Sequence, residues 1–320
     1  MSSIPVGISA CLTGQAVRHD GGHKHSRYCT EVLSRWFSLH PLCPEAGAGL
    51  GTPRPSMRLE QHGDGVRLIA PREKRDLTPV LEAWTERQLE GLASLRGFIL
   101  TAKSPSCGMS RIRVYHPDGE VARRDASGLF AQALMQRFPL LPVEEAARLN
   151  DDALRENFIE RVFLYDDWCR VRSEGLSAAT LLDFHTRHKL QMLAHSQQGY
   201  RELGRLLSNL RGKDLDALAD DYITRVMQLM RKRVSPGAHV NVMQHVLGHF
   251  RDNPGFRDHT SAGLRQAADA QIAAYQRGEV PLVVPLTLLR VMQQQAPDAW
   301  LARQHYLAPY PDALGLRNRL

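Results

Sequence analysis

At 320 residues the chain exceeds what a single hydrophobic core usually fills, and its 43% hydrophobic, 7% aromatic and 23% charged content excludes a fibrous or largely disordered protein. No apolar run approaches the roughly 18 to 20 residues a membrane crossing needs; the best, Val280–Leu286, is interrupted by Pro281 and Pro285. Lys and Arg exceed Asp and Glu by 41 to 34, which points to an anionic partner, solubility alone being the bland alternative.

In chain order, Pro5–Ala10, Leu39–Leu42 and Gly97–Ala102 are short apolar runs that read as buried strands. Helical stretches separate them at Thr30–Ser38 and at Leu77–Leu95, where Leu81, Trp84, Leu89 and Leu92 recur at helical intervals before Gly97. Ala126-Ser127-Gly128 opens a further helix through Phe130, Leu134 and Phe138, stopped by Pro139 and Pro142. Residues 143–155 read as a helical connector. Beyond Arg155 strand signals nearly vanish, and amphipathic stretches follow at Ala178–Leu210, Ala217–Arg231, Ala238–Phe250 and Ser261–Arg277. The fold class expected is an α/β N-terminal domain with a mostly parallel sheet, residues 1–145, followed by an all-α C-terminal domain, residues 155–320.

Five cysteines, an odd number without an export signal at Met1–Ile8, predict a cytoplasmic protein with thiols or metal ligands rather than disulfides. Cys11, Cys43 and Cys107 stand just beyond the three predicted strands, each in a loop rich in small or turn-forming residues. Carboxyl-terminal loops of a parallel sheet converge on one crevice, so three thiolates can meet there. Such a set suits soft metals, iron-sulfur above all and zinc second. The bland alternative is a small buried residue at each position, and for Cys29 and Cys169 that alternative wins. Three protein ligands would leave one iron open, which suggests catalysis rather than electron transfer. Glu45 and Ser104 are close enough in sequence to Cys43 and Cys107 to serve as proton-transfer groups, with Asp20, Arg54 and Lys103 as further polar candidates.

Ser9-Ala10-Cys11-Leu12, His19-Asp20-Gly21, Cys43-Pro44-Glu45 with Gly49–Arg54, and Ser104–Gly108 together resemble the thiouracil desulfidase family over roughly residues 4 to 145. The resemblance implies a [4Fe-4S] cluster on Cys11, Cys43 and Cys107 whose free iron binds the sulfur of a thiolated pyrimidine in a hydrolytic, non-redox desulfuration. It implies Glu45 as the acid/base and Ser104 as its assistant. Many members carry a cysteine where this chain has Val17, so that position supplies no ligand here.

Phe184–Leu190, Met192–His195, His239–Gly248, Val280–Leu286 and Tyr306–Pro311 resemble a second, helical (YbgA-like) domain family often fused to the first. The fusion is similar to the RNA uridine desulfidases, which convert 4-thiouridine in tRNA to uridine, and so implies a tRNA partner. Charge agrees in direction: 19 basic against 17 acidic residues through position 154, and 22 against 17 beyond it. Candidate phosphate contacts are Arg187, Lys189, Arg201, Arg205, Arg211, Lys213, Arg231, Lys232 and Arg233, although a solvated helix face would look much the same. His185, His188 and His195, like His245 and His249, fall at helical spacing, and packed or solvent-facing histidines are favoured there over a metal site. The expected activity is therefore a tRNA 4-thiouridine desulfidase. Its rivals are a desulfidase of free thiouracil or thionucleosides with an oligomerising helical half, and an iron-sulfur RNA-binding sensor.

Overall fold

The apolar runs near the N-terminus, near residue 40 and near residue 98 become neighbouring parallel strands. The structure is a computed structural model describing residues 3–63, 65–210, 212, 214–252 and 259–320, the side chains of 251, 252 and 259–261 excepted. The chain divides into two units, Met1–Asp151 and Asp152–Leu320.

In the first unit β1 (Ile4–Ser9), β2 (Phe37–Leu42), α1 (Pro44–Gly47), β3 (Arg58–His62), β4 (Gly65–Ala70), β5 (Arg75–Asp76), α2 (Thr78–Leu89), β6 (Gly97–Leu100), β7 (Ile112–Tyr115), β8 (Val121–Ala126), α3 (Leu129–Arg137) and β9 (Val143–Glu145) follow one another. One sheet runs β2-β1-β6-β9 with every pairing parallel. Val6 and Ile8 on β1 and Phe98 to Leu100 on β6 are almost completely buried, which is why these strands read as continuous apolar runs. Gly7 permits the close packing: a Cβ there would come within 2.3 Å of the Phe98 ring.

Two sequence expectations are corrected in this unit. The helix expected over Thr30–Ser38 is a π turn, Tyr28–Val32, and a 3-10 turn, Leu33–Arg35, after which Phe37 and Ser38 already belong to β2. The connector expected to be helical from Val143 begins instead with β9, paired to β6 with Val143 opposite Phe98. Its helix-forming Glu144 and Glu145 are tolerated in a buried strand because both carboxylates find partners. Glu144 accepts from Arg148 Nε at 2.7 Å, and Glu145 accepts from the Met109 amide at 2.9 Å. A second sheet, β5-β4-β3-β7-β8, antiparallel at every pairing except β3 with β7, has no counterpart among the expected strands. Its strands alternate apolar and charged residues, as in Val66-Arg67-Leu68, so no apolar run announces them.

The second unit is helical: α4 (Asp152–Gly175), α5 (Ala178–Arg187), α6 (Lys189–His195), α7 (Gln197–Leu207), α8 (Leu215–Met230), α9 (Pro236–Asp252), α10 (His259–Gln276) and α11 (Val283–Gln295). The single stretch expected over Ala178–Leu210 is three helices. Ser177 opens the first with a reciprocal capping box to Thr180, and Ser196 caps the third through the Gly199 amide. Leu190 and Leu193 of α6, Val242 and Val246 of α9, Ile272 of α10 and Leu286 and Leu289 of α11 share one apolar core. Among the described residues no helix is long and apolar enough to cross a membrane.

Candidate functional site

Register in the parallel sheet decides where the cysteines go. Ser9, the last residue of β1, lies opposite Leu42, the last of β2, and Ile8 lies opposite Ile99 of β6. All three strands therefore finish at the same edge. Past Ser9 the chain turns into a 3-10 helix that carries Cys11, past Leu42 comes Cys43 as the N-cap of α1, and past Leu100 runs the loop that holds Cys107. Cys11, Cys43 and Cys107 line one cavity of about 570 Å³ together with Glu45, Arg54, Thr101 and Ser104. All five cysteines of the chain are free thiols. Cys29 is buried elsewhere in the same unit and Cys169 sits on α4 in the other.

The Cys107 loop is clamped from below by the start of α3. Gly128 donates its amide to Gly108 O at 2.8 Å, Leu129 to Pro105 O at 3.1 Å and Ala131 to Ser106 O at 3.1 Å. Contact is so close that a Cβ on Gly128 would stand 2.5 Å from the Ser106 carbonyl carbon.

The polar wall is built around Glu45, a buried carboxylate in the first turn of α1. Arg54 Nε donates to Glu45 Oε2 at 3.0 Å, and Arg54 Nη2 donates to the same oxygen. The rest of the guanidinium is held by Gly51 O at 2.8 Å and Val17 O at 3.0 Å. Ser104 Oγ donates to Glu45 Oε1 at 3.2 Å while accepting from the amides of Ser106 and Cys107. Lys103 and Asp20 also line the cavity, and Asp20 is tied to Arg18, whose hydrogen bond lowers its pKa.

Burial pushes all three thiols up. For Cys11 the negative charge of Cys43 adds to that effect; for Cys43 the Ala46 amide opposes it and Glu45 adds. Cys107, the most enclosed, is raised furthest, by burial and then by the negative charges of Glu45 and Cys43. Three thiols in one cavity, whose burial and mutual charge oppose ionisation, would give up their protons only to a cation bound among them, and an all-sulfur donor set suits soft metals. Thr101 Oγ1, buried in the cavity wall without a hydrogen-bond partner, remains available as a donor. The residues fit a metal cluster.

Comparison with known proteins assigns both units. The family model described as 2-thiouracil desulfurase matches residues 6–146, and that described as a protein of unknown function (DUF1722) matches residues 189–311. The uncharacterized protein YbgA of Escherichia coli (strain K12) is 35% identical over 171 residues, which span 53% of this chain and 98% of the relative. The chain belongs to the YbgA family. Its first unit matches the 2-thiouracil desulfurase family model, which supports a desulfurase-like domain fused to a YbgA-like one. A solved [4Fe-4S]-dependent thiouracil desulfidase, TudS, is 29% identical and covers 48% of this chain and 97% of its own, with a TM-score of 0.38.

In the YbgA-like unit the candidate cations separate into groups. Arg187 faces inward, paired with Asp167 at 2.7 Å and Asp183 at 2.9 Å. Arg205, Arg231, Lys232 and Arg233 are exposed, Lys232 beside a groove that also carries Glu202 and Asp221. Lys189 and Arg201 line a different cavity. Arg211 and Lys213 lie outside the described residues.

His185, His188 and His195 are hydrogen-bonded within the fold, whereas His245 and His249 are exposed. His195 Nε2 meets Glu160 at 3.0 Å, and His188 Nε2 meets Asp167 at 2.8 Å. Asp167, His188 and His305 bring their ligand atoms within 4.8 Å of one another, the spacing of a metal site. Arg187 occupies that role, donating to both Asp167 Oδ2 and His305 Nε2, so the cluster is already neutralised by a guanidinium. Sequence spacing misses this cluster because His305 comes from a loop more than 100 residues away. Trp300, which with Tyr200 flanks Lys189, is missed for the same reason.

Proposed function

We propose that this protein removes sulfur from thiolated uridine in RNA, with tRNA as the macromolecular substrate, at a [4Fe-4S] cluster held by Cys11, Cys43 and Cys107. The observation that carries the reading is one cavity, inside a domain matched by the 2-thiouracil desulfurase family model, that gathers three free cysteines, two buried and one half-buried, and an arginine-held glutamate. When bound, a cluster with three protein ligands supplies a Lewis-acidic iron with an open position for a thiocarbonyl sulfur.

The chain's own groups supply the rest. Glu45 is placed to take the proton of an attacking water at Oε1, the oxygen not engaged by Arg54. Ser104 donates to that oxygen and can relay the proton, its position set by the two loop amides. In the overall change the C=S double bond is replaced by a C=O double bond, one water is consumed, and sulfur leaves as hydrogen sulfide with both of that water's protons. No electrons are exchanged, so no external reductant is required.

A base buried in folded RNA must be unstacked before it reaches such a cavity, which costs a few kcal/mol that backbone contacts offset. The YbgA-like unit, with the larger share of the positive charge, supports that role. The test is anaerobic incubation of the reconstituted full chain with bulk bacterial tRNA, followed by nucleoside analysis. Loss of 4-thiouridine with matching gain of uridine is expected. Turnover of free 2-thiouracil with thiolated tRNA untouched would overturn the RNA part and keep the desulfidase; neither turnover, with the cluster present, would overturn both.

A further inference from the structure

The helical unit contains a cavity of about 460 Å³ that the desulfurase chemistry does not use. Its walls come from α6, α7, α9 and the loop after α11, and carry Lys189, Tyr200, Arg201, His245, His249 and Trp300 over a floor that includes Leu190 and Leu193. Among the described residues no carboxylate lines it. Among the described residues neither Lys189 nor Arg201 has an acidic partner, in contrast to Arg187, Arg225 and Arg277, each paired with Asp or Glu.

Aromatic rings hold the lysine instead. Its Nζ is 5.7 Å from the centroid of Tyr200 and 5.8 Å from that of Trp300. Ring faces orient an ammonium without cancelling its charge, so the cation stays available to an anion. The exposed imidazole of His249 stacks on Trp300 with centroids 4.4 Å apart and planes 20° from parallel, which makes a two-ring platform at the cavity wall. Unneutralised cations beside a stacking platform form the combination that recognises a phosphate and a flat heteroaromatic base together.

We propose that this cavity binds one unpaired nucleotide of the RNA partner, its phosphate against Lys189 and Arg201 and its base extending the His249–Trp300 stack. The inference rests on the RNA reading above and assigns that contact to a site. It selects two cations from the basic residues of this unit and leaves out Arg187, which is neutralised inside the fold.

The test is fluorescence anisotropy of labelled bulk tRNA with the anaerobic full chain, across a series of salt concentrations. Arg201→Ala and His249→Ala, both at exposed positions, are compared with wild type. Arg277→Ala, a cation already paired with Glu279, serves as the charge control, and thermal melts verify folding. Each cavity variant is expected to weaken binding about tenfold. Arg201→Ala also lowers the slope of log affinity against log salt by about one, whereas His249→Ala leaves the slope unchanged. Lys189→Gln behaves as Arg201→Ala does, and Trp300→Phe retains more affinity than Trp300→Leu.

Wild-type affinity in folded Arg201→Ala and His249→Ala, with wild type binding tRNA, would overturn the cavity assignment and leave the RNA reading standing. Equal weakening by Arg277→Ala would also overturn it, as an effect of bulk charge. Absence of tRNA binding by wild type would overturn the RNA reading and this inference with it.

Discussion

Arg54 joins Glu45 through two of its nitrogens and a single carboxylate oxygen, leaving the other oxygen to Ser104. Both side chains are nearly excluded from solvent, at 3% and 11% exposure, so neither charge has water as an alternative partner. Removing one member of a buried pair strands the other at a cost of about 3–5 kcal/mol. Arg54→Ala should therefore lower the thermal midpoint of the first unit by several degrees and reduce kcat as Glu45 loses its orientation. Glu45→Gln, which keeps the shape, should lower kcat by about 10²–10⁴ while iron content stays at the wild-type level. Kinetics and iron analysis of the same anaerobic samples separate the two effects.

The cysteines divide three against two. Replacement of Cys11, Cys43 or Cys107 by Ala is expected to abolish iron retention after anaerobic reconstitution, since each removes a ligand from the shared cavity. Cys29→Ala and Cys169→Ala should retain the wild-type iron and sulfide content. Retention by a cavity variant, or loss in both of the others, would contradict the assignment.

Gly128 does not line the cysteine cavity, yet its substitution should be felt in the site. A methyl group there overlaps the Ser106 backbone and forces apart three hydrogen bonds between α3 and the Cys107 loop. Gly128→Ala is expected to lower iron occupancy and the thermal midpoint together. Gly49→Ala, where a Cβ would meet nothing within 4 Å, leaves iron occupancy near wild type despite its positive φ.

Acid should loosen the helical unit first. Burial holds His185 and His305 down to about 4 and His239 down to about 3, with Lys189 beside His185 and Arg317 beside His239 adding to the effect. These groups are neutral in the folded state and take up protons on unfolding below their ordinary value near 6.5. Their contribution is complete above that pH and is lost as the pH falls toward about 4, at about 1.4 kcal/mol per pH unit for each. Urea unfolding of the full chain between pH 7 and 4.5 should show stability falling with pH. His185→Gln, which cannot titrate, should flatten the slope by one group's share; an unchanged slope would contradict this account.

Local pattern carries much of the fold. Buried runs such as Ile4–Ser9 and Gly97–Leu100 are apolar on both faces, and α8 to α10 repeat apolar residues at helical intervals, so their types were legible from the residues alone. Arg67-Leu68-Ile69 of β4 was not, because a strand with one wet face mixes charges into its pattern. Glu144 and Glu145 misled in the same way: helix-forming residues became a strand once β6 offered an open edge and Met109 and Arg148 satisfied the carboxylates.

By itself the amino-acid order determined that three cysteines would each follow a buried strand in a turn-forming loop, that a charged glutamate would sit beside one of them, and that the second half would be helical. Whether those thiols share a cavity depends on strand register, which equalises the ends of β1, β2 and β6. The pairing of Arg54 with Glu45, the neutralisation of Arg187 by Asp167 and Asp183, and the meeting of Lys189 with Tyr200 and Trp300 were decided only by tertiary structure. The reason is physical. Periodicity reports which face of an element avoids water, whereas a side chain's charge and reactivity are set by neighbours that the chain brings back from tens or hundreds of residues away.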